Sequence, residues 1–173
     1  CTFLNNTYGI YSKDLKRHTI IGNKFVMNEV GYYSYTEDYE GLGLIFNSNY
    51  LNANQQAIRL ENGLYDSTFC ANVIDHNNFI GGSSFTGCGM YLENSTGRHF
   101  RNLNINGNAI RNNGDYSIIV IINGYMKYCS ISNNSAHLAG VKDMKIDYSN
   151  ADGFSNNIFA NNNFISGNEI ITN

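Results

Sequence analysis

The sequence has no proline and no tryptophan, and only 14% of its 173 residues are charged. A chain without proline can donate every backbone N–H to a neighbouring strand, which central β-strands require. The net charge is −3, so the composition lacks the basic excess with which proteins bind nucleic acids. We therefore expect no nucleic-acid partner.

Long apolar runs are absent as well. The longest is the five-residue run Ile118–Ile122, whereas a membrane-spanning helix needs about 20 apolar residues in a row. The 30 asparagines and 17 glycines favour turns over helices, which argues against a helical bundle. Apolar residues nevertheless make up 42% of the chain, enough for a packed core. We expect one folded domain over residues 1–173, with no membrane insertion.

A repeated frame runs through the sequence: an apolar residue, two variable residues, asparagine, one variable residue and a second apolar residue, as in Ile20–Phe25. The spacings between the marked asparagines are 26, 28, 31, 26 and 28 residues. The marked asparagines are Asn23, Asn49, Asn77, Asn108, Asn134 and Asn162. Because the chain begins at Cys1 rather than at methionine and ends inside a repeat, we interpret it as a fragment of a longer polypeptide.

A second segment follows most marked asparagines and alternates apolar with polar residues, as in Ala57–Asn62 and Gly89–Asn94. Alternation with period two is typical of β-strands with one buried face. Short strands joined by Asn and Gly turns predict an all-β fold, a parallel β-solenoid of about six coils of about 28 residues. Stacked asparagines would form a hydrogen-bonded ladder, since each amide both donates and accepts.

Repeats of the type Ile-x-x-Asn-x-Phe, followed by Gly-Ile-x-Leu, resemble those of a known family. They look like the right-handed parallel β-helix of pectate lyases, polysaccharide-degrading phage tailspikes and related carbohydrate-active proteins. The resemblance covers nearly the whole chain. It implies a right-handed parallel β-helix that binds polysaccharide and assembles as a homotrimer, located on a virion tail or outside the cell.

The alternation assigns two faces to the second strand of each coil. The inward positions are Ile10, Ile58, Leu60, Met90, Leu92, Ile118, Val120, Met144 and Ile146. One outward column is predicted to contain Tyr11, Tyr33, Arg59, Tyr91, Ile119 and Lys145. The other is predicted to contain Lys13, Tyr35, Glu61, Glu93, Ile121 and Asp147.

Carboxylates on this outward face are the candidate catalytic residues. Glu61 and Glu93 fall in adjacent coils, roughly 5 Å apart at the backbone, as an acid and its partner carboxylate in a glycosidase. Asp147 lies two coils from Glu93, roughly 9–10 Å away, near the upper limit for an inverting pair. We expect no metal ion and no other cofactor, because the four histidines fall at different repeat offsets.

Aromatic and basic side chains on the same face are the candidate substrate-binding residues. Sugar rings stack on tyrosine rings, and cations pair with acidic sugars. The predicted binding residues are Tyr11, Tyr33, Arg59, Tyr91 and Lys145. The pair Asp75 and His76 is a further acid–base candidate at a turn.

Three hypotheses follow. The first is a tailspike-like β-helix that binds and hydrolyses a cell-surface polysaccharide. The second is a non-catalytic structural or adhesive β-helix of a phage tail or appendage, in which Glu61 and Glu93 are ordinary surface residues or part of a protein contact. The third is a polysaccharide lyase or epimerase. Outward Ile119 and Ile121 indicate a patch covered by residues 80–88 or by another subunit.

Overall fold

The computed structural model describes residues 1–37, 41–77, 88–111, 113–114, 116–137, 142–165 and 167–171. These residues form β-strands and turns, without a helix. Every strand pairs in parallel with the equivalent strand one coil away, and three sheets result. The predicted all-β fold is confirmed as a parallel β-helix of about six coils.

Sheet 1 consists of strands of two or three residues. Its strands are Thr2–Leu4, Lys24–Val26, Tyr50–Asn52, Val73–Asp75, Ala109–Arg111, Ser135–His137 and Asn163–Phe164. Sheet 2 follows sheet 1 in every coil. Its strands are Tyr8–Lys13, Val30–Tyr35, Gln56–Glu61, Cys88–Asn94, Tyr116–Ile122, Lys142–Asp147 and Asn168–Ile171.

Sheet 3 closes each coil and leads back to sheet 1. Its strands are Thr19–Ile21, Gly41–Leu42, Ile45–Asn47, Leu64–Cys70, His99–Asn106, Tyr125–Lys127, Ser130–Ser132, Gly153–Ser155 and Ile158–Ala160. No helix in the described part of the chain is long and apolar enough to cross a membrane.

The core is a column of apolar side chains enclosed by the three sheets. Phe25, Phe46 and Phe69 stack along it, with ring centroids 5.8 and 5.7 Å apart. The inward residues predicted for sheet 2 are buried, except that Ile10 in the first coil packs partly exposed against the core. One coil cannot bury its own apolar face, so stacking of coils supplies the stability.

An asparagine ladder precedes the strands of sheet 1, as predicted. At each step the backbone N–H of one asparagine donates to Oδ1 of the asparagine one coil later, at 2.9–3.1 Å. Its members are Asn23, Asn49, Asn72, Asn108, Asn134 and Asn162. The prediction that Asn77 is the third member was wrong, because Asn72 occupies that position.

Asn77 belongs to a second ladder, on the other side of the sheet 1 strands. The members of this ladder are Asn6, Asn28, Asn54, Asn77 and Asn113. The same frame of an apolar residue, two variable residues and asparagine recurs at both corners, and Ile74–Phe79 matches it at the second one. The coils are therefore less uniform than predicted: Asn49 and Asn72 are 23 residues apart, and Asn72 and Asn108 are 36 apart.

Sheet 2 departs from strict alternation at its start. Gly31 and Tyr32 both face inward, since a Cβ built on Gly31 would lie 3.2 Å from the Leu51 side chain and Tyr32 is fully buried. That Cβ would also lie 2.7 Å from the carbonyl oxygen of Ala57 in the next coil, so only glycine fits. The equivalent pair in the first coil is Gly9 and Ile10, and Tyr8, the residue before them, lies on the outer face.

Candidate functional site

The outer face of sheet 2 carries both predicted columns in the predicted register. Strand pairing places Glu61 directly beside Glu93. The first column runs through Tyr11, Tyr33, Arg59, Tyr91, Ile119 and Lys145. The second column runs through Lys13, Tyr35, Glu61, Glu93, Ile121 and Asp147.

A tyrosine cluster occupies the end of this face nearest the N-terminus. The ring centroids of Tyr8, Tyr11 and Tyr33 lie 5.2–5.5 Å from one another. Tyr8 is 43% exposed and Tyr11 is 49% exposed, so both rings offer surface to solvent. Sequence reasoning missed Tyr8, because it lies before the two successive inward positions that break the alternation.

Arg59 continues this cluster along the helix axis. Its guanidinium lies 5.2 Å from the ring centroid of Tyr33 and 5.8 Å from that of Tyr91. The Nε of Arg59 also donates to Oε1 of Glu61 at 2.9 Å, which joins the two outward columns. Stacking between two rings and pairing with a carboxylate hold the guanidinium in one orientation.

Both candidate glutamates accept hydrogen bonds from tyrosines. The Tyr33 hydroxyl donates to Oε2 of Glu61, whose other oxygen pairs with Arg59. The Tyr91 hydroxyl donates to Oε2 of Glu93 at 2.6 Å. The structure thus brings together Tyr33, Arg59, Glu61, Tyr91 and Glu93 as one connected network.

The network keeps its two phenols protonated. Burial raises the pKa of Tyr33, and the hydrogen bond and negative charge of Glu61 raise it further. Burial likewise raises the pKa of Tyr91, with Glu93 adding to the effect. On the inner face of the same sheet, burial raises the pKa of the Tyr32 hydroxyl to about 12.

We expect the folded chain to lose stability as pH rises above about 10, where phenols of an unfolded chain ionise. Since the folded state holds the protons of Tyr32, Tyr33 and Tyr91 more tightly, their contribution is complete below that pH and decreases through the folded-state pKa values. The urea midpoint, measured from neutral to strongly alkaline pH, should show this decline. Tyr32→Phe cannot ionise and should make it shallower; an identical decline in that variant would contradict the assignment.

Asp147 and Lys145 lie at the other end of the two columns. Asp147 is two coils from Glu93, with Ile121 between them. Its Oδ1 accepts hydrogen bonds from the Ser149 hydroxyl at 2.8 Å and the Ser149 backbone N–H at 3.2 Å. The structure therefore places Asp147 and Lys145 on the predicted face, with Asp147 bonded into the turn that ends its own strand.

An apolar cluster lies on the outer face between the two ends. It consists of buried Cys88, Tyr91 and Ile119, with Tyr116 and Ile121 packed against them. Ile119 is only 5% exposed in the single chain, so it needs no second subunit to leave solvent. Of the predicted covering segment, residues 80–87 lie outside the described residues, and Cys88 is part of the cluster itself.

Asp75 and His76 form a separate pair at the end of a sheet 1 strand. The Nδ1 of His76 lies 2.9 Å from Oδ1 of Asp75, and the Nε of Arg111 lies 3.4 Å from the same oxygen. Within the described ranges, no three His, Cys, Asp or Glu side chains are grouped so that they could hold a metal ion. All four cysteines are free thiols.

Comparisons with protein-family models, with curated proteins and with solved structures found no match to this chain. The parallel β-helix itself is clear from the strand pairing. Because one fold serves many functions, a function has to be argued from the chemistry of a particular face. The outer side of sheet 2 is the face on which the candidate residues lie together.

Proposed function

We propose that the chain binds a polysaccharide along the outer face of sheet 2. The observation that carries this proposal is the cluster of Tyr8, Tyr11 and Tyr33, in which two rings are exposed beside a fixed guanidinium. Tyrosine combines an apolar ring with a hydroxyl that can donate and accept, which suits contact with sugars. Exposed rings grouped in this way are unfavourable in water and favour a ligand that covers them.

The geometry of the face favours a polymer over a small ligand. Successive coils lie about 4.8 Å apart, so the outward side chains recur at regular steps along the axis. Tyr8 and Tyr11 occupy the first coil, Tyr33 the second and Arg59 the third. An extended chain of sugars lying along the axis would contact all three coils.

Tyr11→Ala and Tyr8→Ala are expected to weaken glycan binding, each by about tenfold, since truncating a central aromatic contact commonly costs over 1 kcal/mol. A glycan array first identifies the ligand, and calorimetry then measures the dissociation constant of each variant. Tyr50→Ala is the matched control, because Tyr50 is 37% exposed on sheet 1. Equal affinity of Tyr11→Ala, Tyr8→Ala and Tyr50→Ala would contradict this site, and wild-type protein that binds no glycan would favour the structural alternative.

Hydrolysis of the bound glycan is a second candidate function, favoured by the pairing of Glu61 with Glu93. Retaining glycosidases use two carboxyl groups about 5–5.5 Å apart, close to the spacing of adjacent coils. In this proposal Glu93 gives a proton to the glycosidic oxygen as the C–O bond breaks. Glu61, oriented by Arg59 and Tyr33, attacks the sugar carbon, and water later releases the sugar.

The biological setting of this proposal follows from the resemblance to tailspike-like β-helices. We propose that three copies assemble as a homotrimer, on a virion tail or outside the cell. A lyase or epimerase acting on a uronic acid is the alternative chemistry for the same face. It would use an acidic and a basic side chain, for which Glu61 and Arg59 are already paired.

A further inference from the structure

Sheet 3 carries a group of basic and aromatic side chains on its outer face, on a different sheet from the site described above. We call Tyr65, His99, Arg101, Tyr125 and Lys127 the basic patch. Strand pairing places Tyr65 beside Arg101 and Arg101 beside Lys127. The same pairing places His99 beside Tyr125, so the patch spans three successive coils.

The rings of the basic patch lie side by side, and one of them positions a cation. His99 and Tyr125 are stacked with ring centroids 4.7 Å apart and an angle of 14° between the planes. Tyr65 lies 5.9 Å from His99 on the other side. The Lys127 ammonium lies 4.8 Å from the Tyr125 ring centroid, within range of a cation–π interaction that restricts its position.

Arg101 and Lys127 are the two cations of the patch, at directly paired strand positions. In the part of the chain that the structure describes, no carboxylate lies within 4 Å of Arg101 or Lys127. Asp66 is the acidic residue next to Tyr65 in the sequence, and its Oδ1 accepts a hydrogen bond from Asn102 at 2.7 Å. Like charges at directly paired strand positions destabilise a sheet, so a bound anion would relieve a repulsion built into the fold.

The contrast with sheet 2 strengthens this argument. There the central cation, Arg59, is already paired with Glu61. The chain as a whole carries a net charge of −3, so an uncompensated pair of cations is not a consequence of general basicity. Arg101 and Lys127 lie at directly paired positions on sheet 3, whereas the charge of Arg59 on sheet 2 is already matched by a carboxylate.

We infer that the basic patch is a second binding site, which takes an acidic saccharide through its carboxylate or sulfate groups. Arg101 pairs with one anionic group in the forked geometry that guanidinium favours, and Lys127 pairs with the next as a point charge. The rings of Tyr65, His99 and Tyr125 form the apolar floor beneath the sugar. This inference does not depend on the function proposed for sheet 2.

The double variant Arg101→Gln with Lys127→Gln tests the site. Fluorescence anisotropy would follow labelled hyaluronan hexasaccharide, which carries carboxylates alone, and a labelled dextran sulfate oligomer, which carries sulfates alone. Maltohexaose is the neutral probe. We expect the double variant to lose about tenfold or more in affinity for at least one acidic probe, because each cation supplies a charge-assisted contact.

The matched control is Lys24→Gln with Arg111→Gln. It also removes one lysine and one arginine charge, but from sheet 1. This control should bind the acidic probes within about twofold of wild type, since long-range charge effects are screened at physiological salt. An equal loss in the control, equal binding of maltohexaose, or no binding of either acidic probe by the wild-type chain would overturn the inference. The relative affinity for the two acidic probes identifies the anionic group.

Discussion

An Asn72→Ala variant is expected to lose about 2–5 kcal/mol of folding free energy, because buried backbone groups would lose their partners. Asn72 is 1% exposed, and its Oδ1 accepts from the backbone N–H of Asn49 at 2.9 Å. Its Nδ2 donates to the carbonyl oxygen of Phe46 and to Oδ1 of Asn108, both at 2.9 Å. Alanine would leave the Asn49 N–H and the Phe46 carbonyl unsatisfied away from water.

Urea unfolding followed by circular dichroism would measure this loss as a lower midpoint. Asn106→Ala is the matched control, because Asn106 ends the sheet 3 strand of the next coil, beside Cys70. Its side chain accepts a single exposed hydrogen bond, from Asn133 at 3.4 Å. We expect that control to change the free energy of unfolding by less than about 1 kcal/mol. If both variants unfold at the same urea concentration, the ladder does not stabilise the fold as argued.

The position of Asn72 also shows where sequence reasoning about this fold fails. The frame predicted the coil, the ladder and five of its six members, because an asparagine turn leaves a recurring pattern. It could not distinguish the two corners that flank sheet 1, since Asn72 and Asn77 both carry an apolar residue three positions earlier. The pairing between coils decides the choice, because the backbone N–H of Asn49 donates to Asn72. Nothing in the sequence marks Asn72 as the partner of Asn49.

The outward columns of sheet 2 were predictable for a different reason. Leu60 and Leu92 can only face the core, and a shift by one residue would have exposed them. Their burial fixes Glu61 and Glu93 on the outer face and in adjacent coils. Periodicity alone gave no indication of the Tyr8 position, because it depends on the inward placement of Gly9, where a Cβ would lie 2.5 Å from the carbonyl oxygen of Gly31.

The contacts within the site were beyond sequence reasoning for a third reason. Arg59 was predicted to bind acidic sugar, and the structure shows it paired with Glu61 and stacked between Tyr33 and Tyr91. A long side chain can reach neighbours on either side, so its strand position does not determine its partner. The basic patch of sheet 3 was not predicted, because the strands Leu64–Cys70 and His99–Asn106 do not alternate strictly between buried and exposed residues.

Glu61→Gln and Glu93→Gln are each expected to lower sugar release by at least about a hundredfold, the usual effect of removing a general acid or a nucleophile. Glutamine keeps the size of the side chain and can still accept a hydrogen bond from Tyr33 or Tyr91. It can neither give up a proton nor attack as a carboxylate. Glycan affinity should therefore remain within about threefold of wild type, because the tyrosine surface is unchanged.

Reducing-end assays on the glycan that wild-type protein binds would measure release, and calorimetry would measure affinity. Glu29→Gln is the matched control, because Glu29 is exposed on the turn before sheet 2 and carries the same charge. Loss of activity in both site variants, with full activity in the control, would establish the carboxylate pair as catalytic. Full activity in both site variants would exclude the pair, and a product that absorbs in the near ultraviolet would indicate a lyase acting on the same face.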